Sequence, residues 1–324
     1  MKTKYLAFAA AAFMLASCSN DEDLIPQDDL KDTPITVTAG VAGLTTRAGY
    51  ESNATDDTKS ILPQTFYLTI TQDEEDATSK YNYTNVLMTK TEGENKYTST
   101  TNLLWKDSDR DAAVNAYTTD GTTFTVQTDQ STADGVLASD LLGAVSATEG
   151  DVTISGDNIS VCFHHLLCKL DVTFFWGTEL ATATTKTIKS VKYIGFGTDV
   201  TLDRTARSVT KGTNTADITA YTTTDDNGVT YLSEAIFAPQ MGEAPKVVIT
   251  TDINTGNGTE ERVFSIGVGA PAGGFTSGNR YKMNVTIGGT VVDGGSVTAN
   301  VTNGWETGDA NGDADGTDGN MATN

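Results

Sequence analysis

The sequence predicts an all-β protein, and three observations support that fold class. Several segments alternate apolar and polar residues with a period of two, as a strand with one buried face does; the clearest contains Phe66, Leu68 and Ile70. The segments between them contain glycine, asparagine and aspartate in hairpin-turn combinations such as Asp226-Asn227-Gly228. Threonine and glycine are abundant, and few stretches show helical periodicity.

The length and charge limit the number of domains and the classes of partner. The chain has 324 residues, which is about two domains' length. Its net charge of −22 and pI near 4.2 argue against DNA or RNA as a partner, because phosphate contacts need a basic surface. Such acidity is typical of a soluble extracellular surface.

The N-terminus predicts export and lipidation. Lys2 and Lys4 precede a short apolar run, 5–16, that is too short to span a bilayer as a stable helix. The following Ser17-Cys18 resembles the end of a bacterial lipobox, in which the cysteine is acylated and becomes the mature N-terminus. The acidic residues 19–23 resemble a signal for export to the cell surface; the alternative is a solvated spacer. We therefore expect an outer-membrane, cell-surface location with lipid on Cys18.

A strand that ends near a single arginine follows the leader. Ile35, Val37, Ala39 and Val41 alternate with smaller or polar residues, which predicts a half-buried strand. Arg47 and the small Ala48 come after it, and exposed segments with small residues are where proteolytic nicking concentrates. We predict that a protease cleaves between Arg47 and Ala48 and makes this strand removable. The alternative is an ordinary first strand followed by a chance arginine.

Further strands are predicted along the chain by the same alternation. A change of parity near His164 and His165 implies a bulge or crossing, because a one-residue shift exchanges the two faces of a strand, and we place the domain junction there. The predicted strands after Arg47 are 66–70, 81–89, 97–105, 114–117, 152–154, 159–163, 166–176, 188–196, 231–237, 246–253, 262–268 and 280–287.

Two histidines and two cysteines lie close together in the sequence. Cys162, His164, His165 and Cys168 suggest a zinc site, but alternate residues of one strand point to opposite faces, so four tetrahedral ligands would need a fold-back. The two cysteines would lie about 20 Å apart on one extended strand, beyond disulfide reach. We expect free thiols, hydrogen-bonded structural histidines and no metal site or cofactor.

The C-terminal region contains a second strand-like segment and an acidic tail. Val297, Ala299 and Val301 alternate with polar residues over the length of one strand. The tail after Trp305 has the composition of a disordered segment. Asn311, Asp313 and Asp315 imitate the start of a calcium loop without its final glutamate, so a solvated tail is favoured over calcium binding.

Taken in order, several segments resemble the fimbrillin family, the lipoprotein pilus subunits of anaerobic Gram-negative bacteria. Each motif is loose by itself, and their order and spacing make the resemblance specific over nearly the whole chain. The segments are the lipobox at Cys18, the strand ending at Arg47, Leu104-Trp105 followed by Val114-Asn115-Ala116-Tyr117, residues 163–170 (Phe-His-His-Leu-Leu-Cys-Lys-Leu), Ala238-Pro239-Gln240, residues 278–285, and Trp305.

The resemblance implies two transthyretin-like β-sandwich domains in series and assembly by strand exchange. An Arg-specific protease removes the first strand, and a donor strand with Val297, Ala299 and Val301 from a neighbouring subunit fills the groove. The implied divisions are a signal peptide (1–18), a pro-segment with the removable strand (19–47), an N-terminal sandwich (48–165), a C-terminal sandwich (166–305) with a donor region (285–305), and an acidic tail (306–324).

The sequence therefore supports a structural subunit of a surface fimbria, with other fimbrial subunits, an Arg-specific protease and the outer membrane as partners. A tip adhesin or glycan-binding surface lipoprotein on the same fold is the alternative. An enzyme such as a glycosidase would need a cleft with paired carboxylates, and no such pair stands out in the sequence, so we expect no catalytic residues.

Overall fold

A computed structural model describes residues 31–42, 62–224, 231–241, 245–271 and 273–288, and the backbone pairing of four short strands outside these ranges. The prediction of an all-β protein is confirmed: within these ranges one short helix, α1 (Ala133–Ala138), and one 3₁₀ turn (Thr178–Leu180) accompany the strands. In chain order the strands are β1 (Thr36–Val41), β2 (Thr46–Arg47), β3 (Tyr50–Glu51), β4 (Thr65–Thr71), β5 (Tyr83–Lys90), β6 (Lys96–Thr98), β7 (Ala113–Tyr117), β8 (Thr123–Thr125), β9 (Leu142–Val145), β10 (Val152–Ser155), β11 (Asn158–His165), β12 (Cys168–Trp176), β13 (Thr185–Gly197), β14 (Asp199–Asp203), β15 (Ser208–Lys211), β16 (Thr215–Thr219), β17 (Tyr221–Thr224), β18 (Tyr231–Phe237), β19 (Lys246–Asn254), β20 (Thr259–Gly267), β21 (Arg280–Ile287), β22 (Val292–Gly294) and β23 (Thr298–Asn300).

The N-terminal half forms one eight-stranded sheet that closes on itself. Its order is β1-β6-β5-β4-β7-β9-β11-β10, and β1 also pairs with β11. Seven strands therefore form a closed ring, and β10 pairs with residues 158–161 of β11 on the edge opposite β1. Strand β4 shows which face of the ring points to the core: Phe66, Leu68 and Ile70 are fully buried, while the residues between them are less buried.

A second hydrophobic core is shared by the three-stranded sheet β15-β14-β8 and by two larger sheets of the C-terminal half. One has the order β17-β18-β12-β21-β22, with β23 also paired to β21, and the other has the order β16-β13-β19-β20. Leu170 of β12, Val191 of β13 and Val247 of β19 are at most 1% exposed and belong to the same core. The transthyretin-like layout of the two halves stays a prediction.

The two halves meet around the end of β11 and the start of β12. Strand β11 buries Ile159, Val161 and Phe163, whereas β12 places Cys168 and Leu170 in the second core, and the two strands belong to different sheets. The predicted boundary at 165/166 lies between them. The segment 123–145 precedes that boundary, yet β8 pairs with β14 and residues around α1 contribute to the second core.

Two arginines of the β14–β15 turn connect this second half to the first sheet. The Arg204 guanidinium lies 4.8 Å from the centre of the Tyr117 ring and donates a hydrogen bond of 3.0 Å to the Thr119 carbonyl. Arg207 donates a 3.0 Å bond to the buried carboxylate of Asp151. These contacts join a loop of one half to strands and loops of the other.

The prediction of a single strand over 97–105 is wrong in its extent. Strand β6 ends at Thr98, and the following residues run beside the chain that precedes β1. Pro34 makes an isolated bridge to Leu104. Proline lacks a backbone N–H, so a continuous ladder cannot pass through this point.

Candidate functional site: the first-strand groove

Strand β1 occupies a position between two other strands, which we call the first-strand groove. On one side it runs parallel to β11, with six register pairs from Thr36 opposite Asn158 to Val41 opposite Phe163. On the other side it runs antiparallel to β6, with Val37 opposite Tyr97. The backbone of β1 is thus hydrogen-bonded along both edges, and this strand closes the ring.

The chain just before β1 is held in the same groove. The Ile35 N–H donates to the Leu103 carbonyl at 2.8 Å, and the Trp105 N–H donates to the Thr33 carbonyl at 2.9 Å. At the surface, the Asp32 carboxylate accepts bonds from Lys80 (2.8 Å) and from the Tyr81 hydroxyl (3.0 Å). These two bonds hold the pKa of Asp32 below its usual value.

The inward face of β1 is part of the first hydrophobic core. Ile35 is 9% exposed, Val37 2% and Ala39 4%, and Val41 is half-buried against the same cluster. Aromatic rings line this part of the core: the centre of the Phe66 ring lies 4.7 Å from that of Tyr97 and 5.1 Å from that of Phe163, both edge to face. The groove therefore takes small aliphatic side chains at alternate positions of its occupant.

The outward face of β1 is polar and is bonded to the side chain of Asn158. The Asn158 amide donates a 3.0 Å hydrogen bond to the Thr38 hydroxyl, and the Thr36 hydroxyl donates a 3.2 Å bond to the Asn158 amide oxygen. Gly40 lies opposite Cys162 in the parallel register. A Cβ atom added to Gly40 meets nothing within 4 Å, so a larger residue fits at this position.

The predicted processing site follows β1 along the chain. Arg47 ends the two-residue strand β2 and pairs with Tyr50 of β3, so two residues separate the partners, as in a tight hairpin. Ala48 lies between them and outside the described residues, and Cys18, the predicted lipidation site, lies outside them as well.

The predicted donor segment is paired with its own subunit. Strand β22 pairs antiparallel with the C-terminal end of β21, and β23 pairs with its N-terminal end, with Ala299 opposite Tyr281. The register changes by one residue between these two short strands. Val297 and Val301 lie outside the described residues. Strands β22 and β23 therefore lie beside β21 in the second half, not in the first-strand groove.

The two histidines that suggested a metal site are paired with carboxylates, and the two cysteines are free thiols. His164 Nε2 lies 3.2 Å from Asp151 Oδ1, and His165 Nδ1 lies 2.9 Å from Asp140 Oδ1. Burial, together with the nearby Arg207, lowers the pKa of His164. Cys162 and Cys168 are free, and burial raises the pKa of both thiols. Within the described ranges no group of three or more histidine, cysteine, aspartate or glutamate side chains is arranged to hold a metal ion.

Several residues of the groove were not identified from the sequence. Tyr97 closes one side of it, Leu103 bonds the chain before β1, and Asn158 bonds its hydroxyls. No local pattern distinguishes these residues, because their role depends on which distant strands pair.

No helix among the described residues has the length and apolar character needed to cross a membrane.

Comparison with known proteins places this geometry in a group of related folds. The family model described as fimbrillin-like matches residues 46–305. A protein from Bacteroides uniformis ATCC 8492 described as a cell adhesion protein is 20% identical, with a TM-score of 0.53 over 82% of this chain and 96% of that chain. A second such protein, from Bacteroides ovatus ATCC 8483, is 16% identical, with a TM-score of 0.58 over 86% and 99% of the respective chains. At these identities the likeness shows the fold alone, and no curated protein matches the sequence.

Proposed function

The chain belongs to the fimbrillin-like family, and we propose that it is a structural subunit of a surface fimbria that polymerises by strand exchange. In this proposal an Arg-specific protease cuts between Arg47 and Ala48, β1 leaves, and the C-terminal strand of another subunit replaces it. Family membership confirms the resemblance drawn from the motifs and makes the chain a fimbrial protein; the cleavage and the exchange are the proposal.

The observation that carries the proposal is that β1 closes the ring between β6 and β11. Loss of this strand would leave unpaired N–H and C=O groups on both neighbours. It would also open the core beside Phe66 and Phe163 to water. Open strand edges beside an apolar groove bind an added strand through main-chain hydrogen bonds, with alternate side chains supplying the specificity.

The C-terminal segment is suited to be the replacing strand. Strands β22 and β23 contact one edge of β21 and are short, with three residues each. Strand β23, the one of the two that lies within the donor residues 297–301, makes three register pairs with β21, whereas β1 makes six with β11 and two more with β6. The C-terminal segment can therefore leave its own subunit at a lower cost than it recovers in the groove of the next.

The location and partners follow from the same proposal. Lipid on Cys18 would hold the precursor at the outer membrane, and cleavage after Arg47 would release the subunit from that anchor. The partners are then other fimbrial subunits, the protease and, before processing, the membrane. The role is structural and not catalytic.

Digestion of the purified precursor with an Arg-specific protease tests the proposal. We expect a mature N-terminus at Ala48 by mass spectrometry and a ladder of SDS-resistant oligomers on gels. Arg47→Lys keeps the positive charge but removes the cleavage site, so this precursor should stay intact and monomeric. Arg262→Ala, at an arginine of β20 that pairs with Glu260, is the matched control and should still polymerise.

A cleaved product that remains monomeric would contradict the proposal and favour a terminal adhesin on the same fold. A cavity of 350 Å³ near the junction gives that alternative a location. Its lining is half apolar, with Phe124 and Leu137, and half polar, with Gln64 and Asp134, so it offers a ligand both apolar contacts and hydrogen bonds. Saturation-transfer NMR with a panel of hexoses would detect such a ligand.

A further inference from the structure

The first strand and the C-terminal segment have nearly the same sequence. Residues 36–41 are Thr-Val-Thr-Ala-Gly-Val, and residues 296–301 are Ser-Val-Thr-Ala-Asn-Val. We infer that the C-terminal segment of a second copy of this chain takes the place of β1 in the same direction and register, each residue of 296–301 replacing its counterpart in 36–41. This inference rests on the proposed function and specifies its partner and geometry.

The inward-facing side chains match one for one. Val297 would replace Val37, Ala299 would replace Ala39, and Val301 would replace Val41. Val37 and Ala39 are nearly fully buried in a core that contains Phe66 and Phe163. Because the replacing side chains are identical, they create neither a cavity nor overpacking at these sites.

The outward-facing positions match in chemistry. Ser296 and Thr298 would bring hydroxyl groups to the positions of Thr36 and Thr38, where Asn158 bonds both hydroxyls. Asn300 would replace Gly40, the one position where a larger side chain must be accommodated. A Cβ there meets nothing within 4 Å, so the asparagine fits without displacing a neighbour.

The direction is decided by the other residues, because Val-Ala-Val has the same order when reversed. A reversed strand would bring Asn303 to the position of Ile35, which is 9% exposed. Burial of an amide without partners is costly. In the forward direction Gly295 occupies that position and leaves the space of the Ile35 side chain unfilled, which is also a cost. The forward direction is favoured because it alone keeps a hydroxyl at the position of Thr38, which Asn158 bonds, where a reversed strand would bring Asn300. The incoming strand then runs parallel to β11 and antiparallel to β6, as β1 does.

The match also identifies the partner. Residues 296–301 carry the same inward-facing side chains as β1, which fills the groove of the same chain. A second copy of this chain therefore supplies both a matching strand and a matching groove. We therefore expect a homopolymer, in which each subunit donates residues 296–301 to one neighbour and receives the same residues from another.

A disulfide test uses the native thiol of Cys162, which lies opposite Gly40 and is free. In the forward register a thiol at position 300 arrives opposite Cys162, within the Cα separation that a disulfide needs. In the reversed register position 298 arrives there instead. A disulfide between position 300 and Cys168 of the same subunit is excluded by distance. Position 300 pairs with Arg280, and Arg280 pairs with Lys169 on the next strand, so Cys168 lies about two strand spacings (roughly 10 Å) from position 300.

The experiment compares full-length Asn300→Cys and Thr298→Cys after cleavage with an Arg-specific protease, which also removes the segment with Cys18. After mild oxidation we expect Asn300→Cys to give a covalent ladder on non-reducing gels, at least about tenfold stronger than that of Thr298→Cys, and mass spectrometry should find the peptide that links positions 162 and 300. Asn300→Cys combined with Cys162→Ser should give no covalent ladder.

The outcomes separate this inference from the proposed function. A covalent ladder from Thr298→Cys alone would show the reversed direction and overturn the inference. Non-covalent polymers with no cross-link from either variant would overturn the register while the proposed function stands. If the wild-type chain forms no oligomer after cleavage, the proposed function fails and the inference fails with it.

Discussion

Val37 gives a sensitive test of strand exchange, because the proposed assembly uses this residue in the precursor and discards it from the polymer. Its side chain is 2% exposed. Val37→Ala removes two methyl groups, each worth about 0.8 kcal/mol of buried apolar surface, and leaves a small cavity that adds to the loss. We expect the free energy of unfolding of the first sheet to fall by about 2 kcal/mol in the precursor.

Hydrogen exchange of the β6 and β11 amides, measured on the precursor, reports this loss next to the groove. In the cleaved polymer position 37 is absent, so Val37→Ala polymers should dissociate at the same temperature as the wild type. Val297→Ala is the matched variant and should do the reverse: the precursor's β6 and β11 amides exchange at wild-type rates, and the polymer dissociates more readily. Weaker polymers from Val37→Ala, or unchanged polymers from Val297→Ala, would refute the reasoning.

Two further predictions concern neighbouring positions. Gly40→Asn should change the free energy of unfolding of the precursor, measured with urea, by no more than about 0.5 kcal/mol, because a Cβ there meets nothing within 4 Å. Gly143→Ala should lower it by about 1–3 kcal/mol, because its Cβ would lie 2.5 Å from the Tyr117 ring. Equal losses from the two variants would contradict this prediction. Burial and the charge of Arg207 lower the folded-state pKa of His164 below 6.5, so unfolding takes up a proton and stability should fall as the pH drops below that value. His164→Asn should flatten the urea midpoint between pH 7 and pH 5, and an unchanged slope would show that other groups cause the pH dependence.

Local alternation was enough to predict many strands, because one buried face imposes a period of two. Strand β4 buries Phe66, Leu68 and Ile70 as the pattern predicts, and β21 does the same with Tyr281 and Met283. The change of parity near His165 also corresponds to a real event, since β11 ends there and β12 begins in another sheet. These features depend on residues that are close in the sequence.

Long-range pairings could not be predicted in the same way. The parallel pairing of β1 with β11 joins segments more than a hundred residues apart, and β1 alone does not indicate its partner. Lys169 is a second example: alternation predicts that it faces water, yet it is 1% exposed. Its ammonium group contacts Glu234 of the neighbouring strand and lies 3.5 Å from Asp171. A buried charge is tolerated only when such partners are present, and they become visible only in the folded chain.

The likeness between the two strands has a consequence for what drives assembly. Strands with the same buried side chains gain nearly the same contacts in the groove, so packing alone does not favour the donor over β1. An intramolecular strand competes at an effective concentration of order millimolar for short linkers, which a separate subunit at micromolar concentration cannot match. In the proposed assembly, cleavage after Arg47 would remove that advantage, because β1 would then be held by non-covalent contacts alone and would be diluted once it dissociates. The groove would then determine which segment binds, and the peptide bond after Arg47 would determine when exchange can begin.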